Sequence, residues 1–202
     1  MNAGKQFKYV ATTPRQITDQ IREFSSAIVS GAEPELVFLE VTPASFSAPG
    51  QCYQNARLVA EQLGGEVVHG WLIWELPGAY LTAEHHAIVE SNGQLIDVTP
   101  AIAGERKVLF LADRHSTGTT PRPVNKYVPL SRIPMMKRYC QLARRNSQLE
   151  LEGKAFGPEY QRNDAEMTRC LDTFFRQQHE RESQKKARKK KKEKRRRRKR
   201  SR

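Results

Sequence analysis

Residues 85–100 read HHAIVESNGQLIDVTP, and this stretch decides the fold that the sequence predicts. Two apolar runs, 85–90 and 94–98, flank the dipeptide Asn92-Gly93. Asn-Gly between two such runs is the strongest short-range signal of a β-hairpin, because both residues tolerate the positive φ that a type I′ turn requires. We therefore expect two antiparallel strands joined by a two-residue turn.

The turn determines which side chains share a face of this hairpin. With a two-residue turn, Ile88 lies opposite Asp97, so His86 and Asp97 are diagonal neighbours on one face. Diagonal neighbours are about 7–8 Å apart, a distance that an imidazole can span, so the carboxylate can orient the ring. His85 points to the other face. A three-residue loop would exchange the two histidines, so the assignment depends on the turn type.

A helix is predicted upstream of the hairpin, over residues 51–63, where apolar side chains recur on one face. Gly64 follows, as glycine commonly does at the C-terminal end of a helix. Cys52 therefore lies in the first turn, where unpaired backbone N–H groups and the positive end of the helix dipole favour a thiolate. Gly50 gives the chain a flexible approach to this turn, so that a backbone amide can face a developing oxyanion.

The other segments complete an α+β pattern that combines helices with an antiparallel sheet. Thr13 and Pro14 predict the start of an N-terminal helix that runs to about Ser30, with Thr13 as the N-cap. Periodicity and short apolar runs predict a helix at 135–149, a helix capped by Asn163-Asp164, and strands at 36–39, 67–74 and 108–111.

Charge is distributed unevenly along the 202 residues. The formal net charge is +13, but residues 185–202 hold fifteen Lys and Arg and one Glu, so the remainder is close to neutral. One folded domain plus a tail fits the usual domain size of roughly 100–200 residues. The sequence divides into an N-terminal helical segment at 1–33, a core with C-terminal helices at 34–184, and a polybasic tail at 185–202.

The tail has no apolar residue but Ala187, so it cannot bury enough surface to offset chain entropy. We expect disorder there, or at most a frayed and solvated helix. Such a charge run attracts polyanions by counterion release, and nucleic acid is the expected partner. Binding should be independent of sequence and sensitive to salt, because the tail has no aromatic side chain to stack on bases. The basic residues expected to make these contacts are Lys189, Lys190, Lys191, Lys192, Arg195, Arg196, Arg197 and Arg198.

The expected location follows from several features of the chain. It has no run of about 18 apolar residues that could span a membrane. Its first residues lack the apolar segment of a signal peptide, and its three cysteines cannot all pair with one another, so a reducing cytoplasm is expected. Residues 189–200 would also serve as a nuclear import signal in a eukaryotic cell. An anionic membrane surface is the competing partner for the tail.

The hairpin and the cysteine-bearing helix belong to a longer pattern. It consists of Gly50-Gln51-Cys52, Ala56, Gly70, His86-Ala87-Ile88-Val89-Glu90 and Asp97-Val98-Thr99-Pro100. This pattern resembles the transglutaminase-like branch of the papain-like cysteine enzymes, and the resemblance covers about residues 37–100. The chain departs from the family at Ile88, where members usually carry an aromatic residue, and at the additional His85.

The resemblance implies a papain-like or transglutaminase-like fold in which the cysteine-bearing helix packs on the antiparallel sheet. It assigns the nucleophile to Cys52, the general base to His86 and the orienting carboxylate to Asp97. The implied chemistry is acyl transfer from an amide- or peptide-containing substrate through a thioester, ending on water or on an amine. No cofactor is expected. Gln51 is the nearest candidate for a second oxyanion donor.

Two other interpretations remain open. Cys52, His86 and Asp97 can also be a core cysteine, a satisfied sheet histidine and an aspartate at a turn, in a non-catalytic binding protein tethered to nucleic acid by its tail. A metal site is the second alternative, but none of its potential ligands stands at a recognised zinc spacing. Those ligands are Cys52, His69, His85, His86, His115, Cys140 and Cys170.

Overall fold

The computed structural model describes residues 9–29, 33–114 and 122–200, and side chains as far as residue 190. The helices in this part of the chain are α1 Asp19–Ser26, α2 Cys52–Leu63, α3 Pro134–Leu151 and α4 Pro158–Arg200. The strands are β1 Leu36–Glu40, β2 Glu66–Leu76, β3 Tyr80–Ser91, β4 Gln94–Ile96, β5 Lys107–Ala112 and β6 Lys126–Pro129. The predicted α+β class is confirmed.

The strands form one antiparallel sheet that is nearly closed. Its order is β1-β5-β2-β3-β4, and β6 pairs with β3. An isolated bridge between Val41 and Asp97 brings the chain after β1 to the chain after β4, so the two ends of the strand order meet. The sheet consequently has an inner face and an outer face.

The two faces bury different parts of the hydrophobic core. The inner face encloses an apolar cluster built from strand residues, including Leu39, Leu72, Ile88 and Phe110. The outer face is covered by helices: α1 packs on β2 and β5, and α2 packs on β3. α3 and α4 pack on Leu76 and Tyr80, at the end of β2 and the start of β3, which by alternation lie on the same side of the sheet as Ile88. Ile88 and His86 are two residues apart on β3, so both point toward the inner side.

The hairpin of β3 and β4 has the register that the sequence predicts. Ser91 pairs with Gln94, and the pairing continues along both strands without a bulge. Asn92 and Gly93 have φ angles of 51° and 73°, the positive values that a type I′ turn requires at both positions. The two-residue turn is therefore confirmed, and the three-residue alternative, which would exchange the two histidines, is excluded.

One edge of β3 is interrupted in its middle. β6 pairs with residues 80–83 of β3, and β4 pairs with residues 89–91. No described strand covers residues 84–88 on that edge. Apolar side chains of α2 pack on Ala87 and Val89, so the helix lies directly beside the gap.

The elements around the gap match the sequence pattern closely. α2 begins at Cys52, and Gly64 ends it in the left-handed conformation with a φ of 62°, as predicted. β1, β2 and β5 each contain a predicted strand segment. β6 is an additional strand that no hydrophobic pattern indicates.

The N-terminal helix begins later than predicted. α1 follows Thr18, whose Oγ1 accepts a hydrogen bond from Ile21 N at 3.3 Å, so the predicted N-cap at Thr13 is wrong. Thr13 instead donates its hydroxyl to Lys107 O at 2.8 Å. Thr12 forms an isolated β-bridge with Glu75 of β2. These tertiary contacts of Thr12 and Thr13 keep the chain extended where local signals favour a helix. α1 also ends at Ser26, before the predicted end near Ser30, and Ser30 itself lies outside the described residues.

The two C-terminal helices differ in how well they follow the prediction. α3 lies where a helix is predicted, but α4 begins at Pro158 instead of after Asn163. Proline suits the first helical position, because its missing N–H would have no intrahelical acceptor there. Asn163 Nδ2 donates to Asn146 Oδ1 of α3 at 2.8 Å, so Asn163 ties the two helices together and is not a cap.

α4 continues as a helix to Arg200 and includes most of the polybasic tail. The sequence predicts disorder there, or at most a solvated helix, and the continuous helix differs from the first of these expectations. Lys and Arg are good helix formers, so a helix that is already formed in the packed part of α4 extends through them. Residues 181–190 are exposed. In the described part of the chain, no helix combines the length and the apolar character needed to cross a membrane.

Gly70 marks a close approach of β2 to β5, and replacing it with alanine should destabilise the fold. A Cβ there would lie 2.2 Å from Leu111 O and 2.4 Å from Phe110 Cζ, so a backbone and an interior ring would have to move. We expect Gly70→Ala to lower the free energy of unfolding, measured with urea, by about 3 kcal/mol.

Gly104→Ala is the matched control for this packing effect. The φ of 79° at Gly104 strains an alanine, but nothing lies within 4 Å of the added methyl group, so a loss of only about 1 kcal/mol is expected. Equal losses in the two variants would contradict the packing argument.

Candidate active site

Three elements bring Cys52, His86 and Asp97 together at the open edge of β3. Cys52 is the first residue of α2, His86 lies in the middle of β3, and Asp97 follows β4. His86 Nε2 lies 3.1 Å from Asp97 Oδ1, and the Cys52 thiol lies close enough to the same imidazole to help raise its pKa. All three residues are buried, with exposed fractions of 9%, 7% and 1% in sequence order. The three residues selected from the sequence are thus connected neighbours.

The His86 ring is held by Asp97 and lies beside Cys52. Asp97 Oδ1 is the partner of Nε2, and the Cys52 thiol acts on the ring from nearby. Burial by itself would lower the pKa of His86, but hydrogen bonds to Asp97 and Cys52 outweigh burial and raise the pKa above its ordinary value. The protonated form of the His86 ring is therefore stabilised beside the Cys52 sulfur.

The backbone around Asp97 fixes its carboxylate. Thr99 N donates to Asp97 Oδ1 at 3.0 Å, so one carboxylate oxygen is shared between a backbone amide and His86. Thr42 N donates to the Asp97 carbonyl oxygen at 2.7 Å, next to the bridge that nearly closes the sheet. Because its side chain and main chain are both held, Asp97 presents its carboxylate to the ring in one orientation.

Asn55 joins the cysteine-bearing helix to the aspartate segment. Its Nδ2 donates to Thr99 Oγ1 at 3.1 Å and to Ala48 O at 2.9 Å, and its Oδ1 accepts from Ala48 N at 3.2 Å. Sequence reasoning missed this residue. The sequence feature that could have indicated it is its position three residues after Cys52, on the buried face of α2, because a polar side chain there needs hydrogen-bond partners.

Gln51 is the N-cap residue of α2, and its exposed side chain makes no capping hydrogen bond. Its backbone N–H donates to Ala48 O at 3.3 Å, and Gln51 does not line the cleft described below. Its role as an oxyanion donor stays a prediction. The backbone N–H of Cys52 belongs to the first turn of α2, where amides have no intrahelical acceptor, so it is available to an anion at the sulfur.

His85 lies on the opposite side of β3 from His86. It is only 2% exposed, its Nδ1 is hydrogen-bonded to the hydroxyl of Tyr53, and the Trp71 ring contacts it edge-on at 4.8 Å. Burial, reinforced by the nearby His69, lowers the pKa of His85 to about 4. The structure therefore brings His86, and not His85, to Asp97.

The site opens into a cleft of about 680 Å³. The cleft is lined by Cys52, His86 and Asp97, by the apolar residues Leu72, Trp74, Ile102 and Val108, and by the charged residues Glu84, Glu105 and Arg122. Arg122 lies 3.9 Å from Glu84 and 3.6 Å from Glu150. A cleft of this volume, mainly apolar with a few convergent polar groups, is typical of a site for a small molecule or a peptide segment.

The remaining candidate ligands and thiols lie apart from this chemistry. In residues 9–29, 33–114 and 122–200, no three His, Cys, Asp or Glu side chains are grouped so that they could hold a metal ion. His115 lies outside the described residues. Cys140 and Cys170 are buried between α3 and α4, and burial raises the pKa of Cys140 to about 12 and raises the pKa of Cys170 as well.

The basic residues of the tail lie on α4. Lys189 and Lys190 are exposed, so their ammonium groups are accessible to a polyanion. The side chains of Lys191, Lys192, Arg195, Arg196, Arg197 and Arg198 fall outside the described side chains, although their backbone is helical.

Comparisons with known proteins give no family assignment. No protein-family model matches the chain, and no curated protein or solved structure matches it either. The function therefore has to be argued from the geometry of the site.

The role of Asn55 can be tested by measuring stability. Asn55→Ala removes three hydrogen bonds and leaves buried partners unsatisfied, so we expect the free energy of unfolding to fall by about 2–3 kcal/mol. Gln54→Ala is the matched control, since Gln54 is exposed on the same helix, and a change within about 0.5 kcal/mol is expected there. Similar urea midpoints for Asn55→Ala and the parent protein would rule out Asn55 as a tie between the two segments.

Proposed function

We propose that the protein is a cysteine-dependent acyl-transfer enzyme of transglutaminase-like fold, either an amide hydrolase or peptidase, or an acyltransferase. Cys52 is the nucleophile, His86 the general acid and base, and Asp97 the residue that orients the ring. The supporting observation is that Cys52, His86 and Asp97 line one accessible cleft, where Asp97 is hydrogen-bonded to His86 and the Cys52 thiol is close enough to the ring to help raise its pKa.

The reaction proceeds in two halves. The Cys52 thiolate attacks the carbonyl carbon of an amide, and the carbon–sulfur bond forms while the oxyanion is held by backbone N–H groups at the start of α2. The carbon–nitrogen bond then breaks, and the His86 imidazolium gives its proton to the leaving amine. Neutral His86 next takes a proton from water or from an acceptor amine, which attacks the thioester and releases the acyl group from sulfur.

Burial and electrostatics both favour this mechanism. Burial of the three groups keeps bulk water from competing for their hydrogen bonds, and the raised pKa of His86 keeps the ring protonated beside the sulfur in the resting state. Cys52 occupies the helix position at which backbone N–H groups stabilise an anion. Cys140 and Cys170 have no histidine partner among the described residues, and burial raises the pKa of both thiols.

Alkylation by iodoacetamide tests the nucleophile near neutral pH. We expect Cys52 to react first and Cys140 and Cys170 slowly, with each site followed by mass spectrometry of its peptide. His86→Ala should slow the reaction of Cys52 by about 10²-fold, because the base that stabilises the thiolate is lost. An activity-based probe with an amide electrophile should label the same residue.

The matched control for this experiment is His179→Ala, since His179 is exposed on α4 and should leave the rate at Cys52 unchanged. Slow and uniform labelling of all three cysteines would favour the non-catalytic binding protein over the enzyme. Rapid labelling of Cys52 that survives His86→Ala would remove His86 from the mechanism.

A second activity, binding of a polyanion by the tail, is favoured by the charge of residues 185–202 and by the exposure of residues 181–190. Nucleic acid is the partner that we propose, held without sequence preference. This activity is compatible with catalysis, because the tail would place the enzyme on a polyanion.

Deletion of residues 185–202 should abolish retention on heparin and on nucleic acid at low salt while leaving the melting temperature almost unchanged. The described side chains of this segment, 185–190, are exposed and bury no apolar surface, so the core loses nothing. A tail of the same composition in shuffled order is the control and should be retained as the parent is. A large fall in the melting temperature on deletion would mean that the tail packs on the body.

A further inference from the structure

The hydrogen-bonded pair of Tyr53 and His85 has no part in the steps described so far. The Tyr53 hydroxyl and His85 Nδ1 are hydrogen-bonded, and His85 lies between Trp71 at 4.8 Å and His69 at 6.0 Å, measured between ring centroids. Burying either polar group without the other would be unfavourable, so the pair holds its geometry. This fixed hydroxyl belongs to the residue next to the nucleophile.

The direction of the hydrogen bond follows from the protonation of the two groups. Burial lowers the pKa of His85 to about 4 and raises the pKa of Tyr53 to about 12, so both are uncharged near neutral pH. A neutral imidazole has one nitrogen that accepts, and a phenol is a much stronger acid than an imidazole N–H, so the hydroxyl donates to Nδ1. The Tyr53 oxygen then has its proton committed to His85 and its lone pairs free.

Tyr53 borders the cleft. It lines the same cleft as Cys52, and it is only partly buried. Arg122 and Glu84, whose charges act on the Tyr53 phenol, line the cleft as well. Tyr53 thus stands beside the space through which a substrate approaches the sulfur.

We propose that the Tyr53 oxygen accepts a hydrogen bond from an N–H group beside the carbonyl that Cys52 attacks, and that His85 is the positioning residue that aims it. The inference rests on the proposed function and adds the substrate class to it. Primary and secondary amides are selected over esters, because an ester has an oxygen where the amide has its N–H and can donate nothing to Tyr53.

The test compares alkylation of Cys52 by iodoacetamide, which carries N–H, with alkylation by methyl iodoacetate, which does not. In both reactions a carbon–sulfur bond forms and iodide leaves, and free cysteine gives the intrinsic ratio of the two rate constants. In the parent protein we expect the amide-to-ester ratio at Cys52 to exceed that intrinsic ratio by about fivefold. Tyr53→Phe should return the ratio to the value of free cysteine by slowing the amide reagent alone.

Variants of His85 separate aiming from packing. His85→Leu removes the acceptor, so the ratio should fall as it does in Tyr53→Phe. His85→Asn should restore most of the ratio, because Asn Oδ1 can occupy the place of Nδ1 and accept from the hydroxyl. Thermal melts of each variant identify those that are folded, and Tyr53→Phe alone suffices if His85→Leu does not fold.

Each outcome decides a part of the proposal. The acceptor role of Tyr53 is overturned if Tyr53→Phe slows both reagents equally or leaves the amide-to-ester ratio at Cys52 unchanged. The positioning role of His85 is overturned if folded His85→Leu leaves that ratio unchanged. Alkylation requires no turnover, so this result is independent of the enzyme proposal. A protein that shows the expected ratios but neither cleaves amides nor transfers acyl groups would disprove acyl transfer and leave the N–H site in place.

Discussion

The hydrogen bond between His86 and Asp97 depends on the register of one hairpin. Two residues at positive φ, Asn92 and Gly93, turn the chain back so that Asp97 returns on the same face as His86. Side chains alternate along a strand, so a shift of one residue would bring the carboxylate to the face of His85. The contact between ring and acid would then be impossible, however well the rest of the sheet packed. A local preference of two residues thus determines which histidine faces the acid.

The gap in the edge of β3 is the second constraint, because it provides the space for Cys52. β4 and β6 pair with the two ends of β3, and the start of α2 lies beside the part between them. Two consecutive residues of the helix, Cys52 and Tyr53, contact two consecutive residues of the strand, His86 and His85. The end of the helix therefore reaches both sides of the strand at once, which a helix lying on one face of a continuous sheet could not do. Asn55 keeps the helix end at this place.

The features that could be predicted from the sequence are those that local chemistry determines. The Asn-Gly turn and the start of α2 at Cys52 depend on neighbouring residues alone, and the structure agrees with both. Thr13 and Thr18 are both suitable caps, and only contacts with distant strands decide that Thr18 begins α1. Asn55 could not be recognised as a tie, because its partner Thr99 lies 44 positions away. The pairing of β6 with β3 is non-local in the same way, and its four residues carry no strong pattern.

His85 and His86 are adjacent and buried, yet their pKa values move in opposite directions. Burial disfavours the charged form of both rings. His86 has a carboxylate and a thiol as partners, which more than offset burial, whereas His85 has a phenol and a second histidine, which do not. Alternation along one strand thus separates a ring whose surroundings favour the positively charged form from a ring whose surroundings favour the neutral form. This separation suits the acyl transfer that we propose, because proton exchange would stay with the ring beside the sulfur, while the neutral ring would orient a hydroxyl without competing for that proton.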